Sequence, residues 1–409
     1  MKYKWKINDL EEYIKLLKLK LYNLLGIKDI NKIDTDTLIN ILNNINDEET
    51  SYNVKILLAD LNQAHILLGE ICPYDFLEYY LYGDLDTSDN YNRKSLDIIK
   101  EHVSILDKYP FAKDDLLKTR RILKYNTGLP LDTLFSMKQC NLSNDDILEL
   151  THDFYKQFDS YFFKKFMGVF KYRKDIVSFK NYDGGGTLGT CYELLCASTS
   201  YIQILRDHNI GDVTTTIHEF MHATSFSINP NHLYDPNKDF LSEFDTTFIN
   251  LLATDYISQN LKTEQIYANS FNALVDHYNS INSAYILDLI KDEDITSNKD
   301  LSSFIKSLEA NLEIILHYIK MDLPFYLFIY SLPFIFAVEL YNIYKTDKDK
   351  AIYLLKKIIN ANCNSKEEYY QMMLDFGLIP GRHLNTYAVD INKKVKSKIK
   401  LNIDGVKMT

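Results

Sequence analysis

Hydrophobic residues recur at helical spacing along most of this chain. Spacing of i, i+3 and i+4 predicts a first helix, with a stop near Gly26, from Leu10, Tyr13, Leu16, Leu17 and Leu21. The same spacing predicts a later helix from Val54, Ile56, Leu57, Leu61, Ile66 and Leu67. The polar stretch at 141–146 is typical of a helix N-cap. Residues 1–170 are therefore predicted to form an N-terminal helical region.

The pattern changes between residues 171 and 207. Hydrophobic and polar residues alternate at first, and Gly184–Gly186 then interrupt the alternation. This predicts a strand, a glycine turn and a second extended segment. The sequence SYIQILRD at 200–207 predicts a further strand. A small β-sheet is therefore expected over 171–207.

Helical spacing resumes after Gly211 and continues almost to Pro380. The chain is thus predicted to be mainly α, with a second region at 171–385 that contains the small sheet. Residues 386–409 form a basic tail, for which a solvated arm is favoured over a terminal strand.

Composition supports long helices and excludes several classes of protein. The chain has only 13 Gly and 8 Pro in 409 residues, too few breakers for a sandwich, barrel or propeller. Its 46 basic and 56 acidic residues give a net charge of −10, which disfavours a general nucleic-acid binder. Five scattered cysteines without a CxxC pair, and a charged amphipathic start unlike a signal peptide, predict a cytoplasmic protein.

One stretch is apolar enough to raise the question of a membrane span. Residues 323–338 carry no charge over 16 positions, but a span needs about 20, and the stretch contains two prolines. We expect a core helix here and no contact with a membrane.

The chemistry centres on the sequence His218-Glu219-Phe220-Met221-His222, an HExxH pattern. On a helix, positions i and i+4 share a face, so the two imidazoles can bind one tetrahedral Zn²⁺. Glu219 lies beside them, where it can act as general base for zinc-activated water. Thr214–Thr216 offer hydroxyls for the N-cap of this helix. The alternative is a helix with two ordinary surface histidines.

A catalytic zinc site needs a third protein ligand. Glu243 is the preferred candidate because it lies in the next predicted helix, at 239–257, which can return over the histidine pair. His232 and Asp235 in the intervening loop are rivals, and His208 is a weaker one.

These segments together resemble the oligoendopeptidase F / thimet oligopeptidase family of zinc metallopeptidases. The match includes Asp212-Val213-Thr214 through Glu219, and a Phe-x-x-Glu-x-x-Ser/Thr-Thr segment from Phe240 to Thr247. The resemblance covers roughly 170–380. It implies a multi-helical zinc-peptidase fold with a substrate cleft, and a metalloendopeptidase that hydrolyses short unfolded peptides.

The resemblance also implies the roles of individual residues. One Zn²⁺ per chain would be held by His218, His222 and Glu243, with Glu219 as the base. The sequence LPFYLFIYSLPF looks like the family's aromatic stretch, which makes Tyr330 and Tyr326 candidates to stabilise the oxyanion.

His317, shortly before the aromatic stretch, is another candidate for the oxyanion. The strand at 200–205 is expected to be an edge strand that receives the peptide substrate through backbone hydrogen bonds.

Some positions depart from the family pattern. Met221 stands where the family usually has Gly, Asn250 replaces a Glu that supports a ligand histidine, and Phe328 replaces a phenol. The N-terminal part is also short for the family. Two alternatives therefore remain: a metallopeptidase specialised for one peptide or protein, and a catalytically inactive peptide-binding relative.

Overall fold

The computed structural model describes residues 10–27, 44–45, 47–68, 99–100, 102–103, 105–126, 138–182, 188–230, 241–263, 265–291, 293, 295–308, 310–320 and 323–398. The longer helices are α1 (Leu10–Leu24), α2 (Glu48–Leu68), α3 (Lys113–Asn126), α4 (Asn144–Phe158), α5 (Ser160–Phe170), α6 (Gly211–Ile228), α7 (Phe244–Asn260), α8 (Ile266–Ile290), α9 (Asn298–Ser307), α10 (Leu312–Lys320), α11 (Leu332–Thr346), α12 (Lys348–Ile359), α13 (Lys366–Asp375) and α14 (Leu384–Lys398). Short helical turns occupy Ile105–Lys108, Arg173–Ile176 and Leu323–Tyr326, and a π-helical turn follows at Leu327–Ser331. The predicted mainly α fold is confirmed.

Two predicted helix ends are confirmed by the backbone. Gly26, just beyond α1, has a φ of +69°, the left-handed conformation that glycine provides after a helix. Ser143 caps α4 in a capping box, since its hydroxyl accepts from the Asp146 N–H while the Asp146 carboxylate accepts from the Ser143 N–H.

The start of α6 differs from the prediction that threonines cap it. Thr214 and Thr216 lie inside the helix and donate back to the carbonyls of Gly211 and Asp212. The helix begins earlier because the Asn209 side-chain oxygen accepts from the Gly211 N–H at 2.7 Å. The prediction was therefore wrong in both residue and turn, since the N-cap position is Ile210, which makes no side-chain cap hydrogen bond.

The strands β1 (Val177–Asn181), β2 (Gly189–Leu194) and β3 (Thr199–Arg206) form one sheet in the order β1-β3-β2. β1 is parallel to β3, and β2 is antiparallel to it. The expectation that 200–205 is an edge strand was wrong, because β3 pairs on both sides. The edge strand beside α6 is β2. Gly184–Gly186 lie outside the described residues.

The sheet and α6 are embedded in aromatic packing from neighbouring helices. Tyr155 of α4 stacks on Phe166 of α5 with ring centroids 4.1 Å apart, and its hydroxyl donates to the Ile217 carbonyl of α6 at 2.9 Å. Phe220 of α6 packs against Phe166 at 5.3 Å. A few of the 31 tyrosines are fully buried in the core, among them Tyr13, Tyr155, Tyr201 and Tyr369.

A buried carboxylate ties the N-terminal helices to the sheet. Asp60 of α2 accepts from the Tyr13 hydroxyl at 2.6 Å and from the backbone N–H groups of Leu195 and Cys196 at 2.9 and 2.8 Å. Those two residues follow β2 directly, so α1 and α2 are anchored at the end of the edge strand.

The C-terminal expectations had mixed outcomes. Residues 386–398 belong to α14 rather than to a solvated arm or a strand, because Leu384, Ala388, Ile391 and Val395 bury one face of that helix against α3 and α8.

Within the part of the chain described, the apolar segment Leu327–Thr346 is long and apolar enough to cross a membrane, but 72% of its most apolar window is buried inside the protein.

Candidate active site

Three side chains predicted to bind zinc meet at one point. His218 and His222 project from the same face of α6, with ring centroids 4.9 Å apart. Glu243 stands at the N-cap position of α7, which packs directly against α6. Its carboxylate oxygens lie 3.2 Å from Nε2 of His218 and 3.5 Å from Nε2 of His222.

This geometry fits a tetrahedral metal site. Atoms that each lie ~2.0–2.1 Å from a tetrahedral Zn²⁺ are about 3.3 Å from one another, close to the separations just given. In the part of the chain that the structure describes, His218, His222 and Glu243 form a cluster of possible metal ligands. Their ligand atoms all lie within 4.8 Å of one another.

The rival ligands differ in where they lie. His208 is exposed, and its Nε2 lies 3.0 Å from the Asn181 side-chain oxygen. His232 and Asp235 are outside the described residues, so their candidacy stays untested.

Electrostatics favours a positive charge at the meeting point. Burial opposes ionisation of Glu243, but the adjacent imidazoles of His222 and His218 outweigh it and hold the Glu243 pKa well below its usual range. Burial likewise disfavours charge on His222, but the Glu243 carboxylate raises the His222 pKa above its ordinary value. A divalent cation would meet the same attraction.

Asn250 of α7 supports the first ligand histidine. Its side-chain nitrogen lies 2.9 Å from Nδ1 of His218, while its side-chain oxygen is buried without a partner. Rotating the amide by half a turn lets the oxygen accept from an Nδ1–H and pairs the orphaned atom. That tautomer leaves the Nε2 lone pair of His218 directed at the ligand cluster.

The proposed base is buried beside the edge strand. Glu219 is 5% exposed, and the backbone N–H of Cys191 in β2 donates to its carboxylate. Burial raises the Glu219 pKa, while the charges of His218 and His222 act in the opposite direction. A carboxylate with a raised pKa is a stronger proton acceptor than an ordinary glutamate.

The two candidate phenols have different surroundings. Burial, followed by the carboxylates of Glu243 and Glu219, raises the pKa of Tyr330. The Tyr326 hydroxyl instead donates to the carboxylate of Asp276 on α8. The two rings pack with centroids 5.0 Å apart.

Two other residues considered with this stretch, His317 and Phe328, have partners of their own. His317 is exposed on α10 and packs on Tyr318, with centroids 5.4 Å apart. Phe328 is buried and stacks on Tyr109 at 4.1 Å.

Sequence reasoning missed several residues around the site. The Thr246 hydroxyl lies 3.0 Å from the Glu243 carboxylate, and a threonine three residues after a ligand at a helix start could have signalled this contact. Asp276 also accepts from the Tyr318 hydroxyl, but nothing in its sequence context marks it. Gly189 stands next to Glu219, and a glycine within a strand pattern is a known sign of close approach.

Comparisons with known proteins gave structural matches alone. No family model and no curated protein matches the chain. A protein from Bacillus anthracis str. Ames, assigned as an oligoendopeptidase F, is 12% identical over 94% of this chain and 72% of its own, with a TM-score of 0.47. A Chlamydophila abortus protein, assigned as a peptidase, is 15% identical over 85% of this chain and 62% of its own, with a TM-score of 0.49.

A further match is a structure of PZ peptidase A with an inhibitor. It is 11% identical over 96% of this chain and 77% of its own, with a TM-score of 0.46. The matched structures thus include one assigned to the family that the motifs resemble.

Proposed function

We propose that this protein is a zinc-dependent metalloendopeptidase that hydrolyses short unfolded peptides in the cytoplasm. The observation that carries the proposal is the convergence of His218, His222 and Glu243, with Glu219 buried beside them. The motifs from 212 to 247 support the same reading, and the scattered cysteines fit a reducing compartment.

The chain's own residues supply most of the steps. When bound by His218, His222 and Glu243, one Zn²⁺ would polarise the peptide carbonyl and acidify water. Glu219 accepts the proton of the attacking water and delivers it to the leaving amine. Tyr330 donates a hydrogen bond to the carbonyl oxygen as negative charge develops there. A phenol is protonated at neutral pH and can donate, and burial with the nearby carboxylates raises the Tyr330 pKa further.

The edge strand offers a place for the substrate backbone. The Leu188 carbonyl accepts from the Leu205 N–H at 2.8 Å, and the antiparallel register continues with Thr190 opposite Gln203. Since hydrogen-bonded pairs alternate along such a ladder, the backbone groups of residues 189, 191 and 193 face away from β3. Among them, the Cys191 N–H is not available to a peptide, because it donates to Glu219.

A peptide can add to this edge by main-chain hydrogen bonds. Such bonds are indifferent to side chains and require an extended chain, which supports short unfolded peptides as substrates.

The test combines metal analysis with cleavage of a mixed peptide library followed by mass spectrometry. We expect one zinc per wild-type chain and cleavage at internal bonds. Glu219→Gln should retain zinc and lower cleavage by about 10²–10⁴-fold, because it removes the base but no ligand. Glu243→Ala should lower the zinc content. His208→Asn is a matched control outside the cluster and should change neither quantity.

Specific outcomes would overturn parts of the proposal. Cleavage by Glu219→Gln at the wild-type rate would exclude Glu219 as the base. Full zinc content in Glu243→Ala would assign the third ligand to His232 or Asp235. A wild-type chain that binds peptides and zinc but cleaves nothing would indicate the inactive peptide-binding relative.

A further inference from the structure

Gly189, the first residue of β2, lies where a side chain would collide with the base. A Cβ built at this position would be 2.7 Å from Oε1 and 2.9 Å from Cγ of Glu219. It would also lie 2.6 Å from Cγ2 of Thr215, one turn earlier on α6. Real Cβ atoms essentially never approach other atoms within 3.0 Å.

The glycine is needed for space rather than for backbone conformation. The described glycines with positive φ are Gly26, Gly377 and Gly381, so Gly189 has a φ that other residues adopt. Glycine inside a strand is destabilising by roughly 0.5–1 kcal/mol relative to alanine. The advantage of glycine over alanine at position 189 therefore comes from the close approach of β2 to α6, which leaves no room for a Cβ.

The same strand also holds the carboxylate. Cys191, two residues along β2, donates its backbone N–H to Glu219. The Cys191 N–H and the empty space at Gly189 thus confine one side chain from two positions of the edge strand that lie two residues apart. Glu219 reaches this slot from α6, the helix that also carries both ligand histidines.

We propose that Gly189 is a positioning residue for Glu219, and that the backbone of Gly189–Cys191 forms a slot that fixes the carboxylate of the base. The inference rests on the proposed function, since it concerns the same site. Glu219 then stays in place at the edge where the substrate strand is expected to lie. The catalytic carboxylate and the substrate backbone are positioned by one and the same strand.

The magnitude follows from the distances. In Gly189→Ala, the Oε1 atom has to move by about 0.7 Å to reach 3.4 Å, where ordinary contact begins. A misplacement near 1 Å at a reacting group costs about 10²-fold in rate. We expect kcat to fall by about 10–100-fold, with KM within about threefold of the wild-type value and zinc content unchanged.

The experiment compares Gly189→Ala with Gly168→Ala, since a Cβ at Gly168 on α5 would meet nothing within 4 Å. Gly168→Ala should keep wild-type kcat. Adding Thr215→Ser to Gly189→Ala removes Cγ2 and tests whether the threonine contact matters. If Gly189 acts through Glu219, this addition should not restore kcat. Recovery of wild-type kcat in the double variant would show that Gly189 makes room for Thr215 and does not act through Glu219.

A second measurement does not depend on activity. Thermal unfolding of metal-free protein should show a lower midpoint for Gly189→Ala than for wild type. In a Glu219→Ala background, the same substitution should lower the midpoint by a clearly smaller amount, because Cγ and the carboxylate are gone. Equal losses in both backgrounds would show that the glycine does not act through Glu219.

The two proposals fail in distinguishable ways. If the wild-type chain cleaves no peptide, the proposed function fails, while the unfolding comparison still tests the contact. If the wild type cleaves peptides and Gly189→Ala cleaves them with unchanged kcat, the positioning role alone is wrong.

Discussion

The contact between Asn250 and His218 makes a quantitative prediction about zinc affinity. Asn250→Leu keeps a similar volume but removes the acceptor that pairs with Nδ1 of His218, 2.9 Å away. The imidazole then loses the partner that orients the ring and selects the tautomer with a free Nε2. Loss of such a supporting partner lowers metal affinity by about 10–100-fold, or about 1.4–2.7 kcal/mol. That range agrees with about 1–3 kcal/mol for a buried donor left unsatisfied.

The assay is competition for zinc between the protein and a chromophoric chelator at neutral pH. Asn250→Leu should weaken binding by the stated factor, whereas Asn250→Asp should bind zinc at least as tightly as wild type, because a carboxylate is a stronger acceptor. Asn260→Leu is the matched control, since Asn260 is exposed on the same helix and donates to the Tyr256 carbonyl.

Two results would refute the reasoning about Asn250. The first is an affinity of Asn250→Leu within threefold of wild type. The second is a loss in Asn250→Asp as large as in the leucine variant, because the aspartate retains the acceptor.

Other substitutions test the phenols and the N-terminal anchor. Tyr330→Phe should lower kcat by about 10²–10³-fold, whereas Tyr326→Phe should lower it by less than about tenfold, because that phenol is engaged by Asp276. Equal losses in peptide kinetics would contradict the assignment. Asp60→Ala should lower the free energy of unfolding in urea by about 3 kcal/mol, because three donors lose their acceptor. Asp107→Ala, which breaks exposed ion pairs, should lower it by less than about 1 kcal/mol, and a comparable loss would refute the anchoring role.

Features encoded by short-range patterns were predictable. The helical region, the strand at 199–206 and the cap at Ser143 follow from periodicity and side-chain preferences within a few residues. The pairing of His218 with His222 on one face follows from the helical repeat alone.

The sequence also predicted Glu243 as the third ligand, but for a different reason. It lies in the next helix along the chain, and its flanking residues match a family segment. The structure then brings it to within 3.2 Å of His218.

Contacts between distant segments were not predictable. The sequence places β3 beside α6 but does not say that β1 and β2 lie on either side of β3, so that β2, and not β3, is the edge strand beside α6. Tyr326 and Tyr330 carry the same side chain four residues apart. Tyr326 donates to Asp276, 50 residues earlier, whereas burial, followed by the carboxylates of Glu243 and Glu219, raises the pKa of Tyr330.

By itself, the sequence determined the helices, the HExxH pattern and the candidate for the base, because each depends on side chains within a few turns of one another. The tertiary structure decided which strand borders Glu219, which phenol is engaged by Asp276, and how closely position 189 approaches Glu219. These depend on how closely separate elements pack, and a few tenths of an ångström between β2 and α6 has no signature in local periodicity.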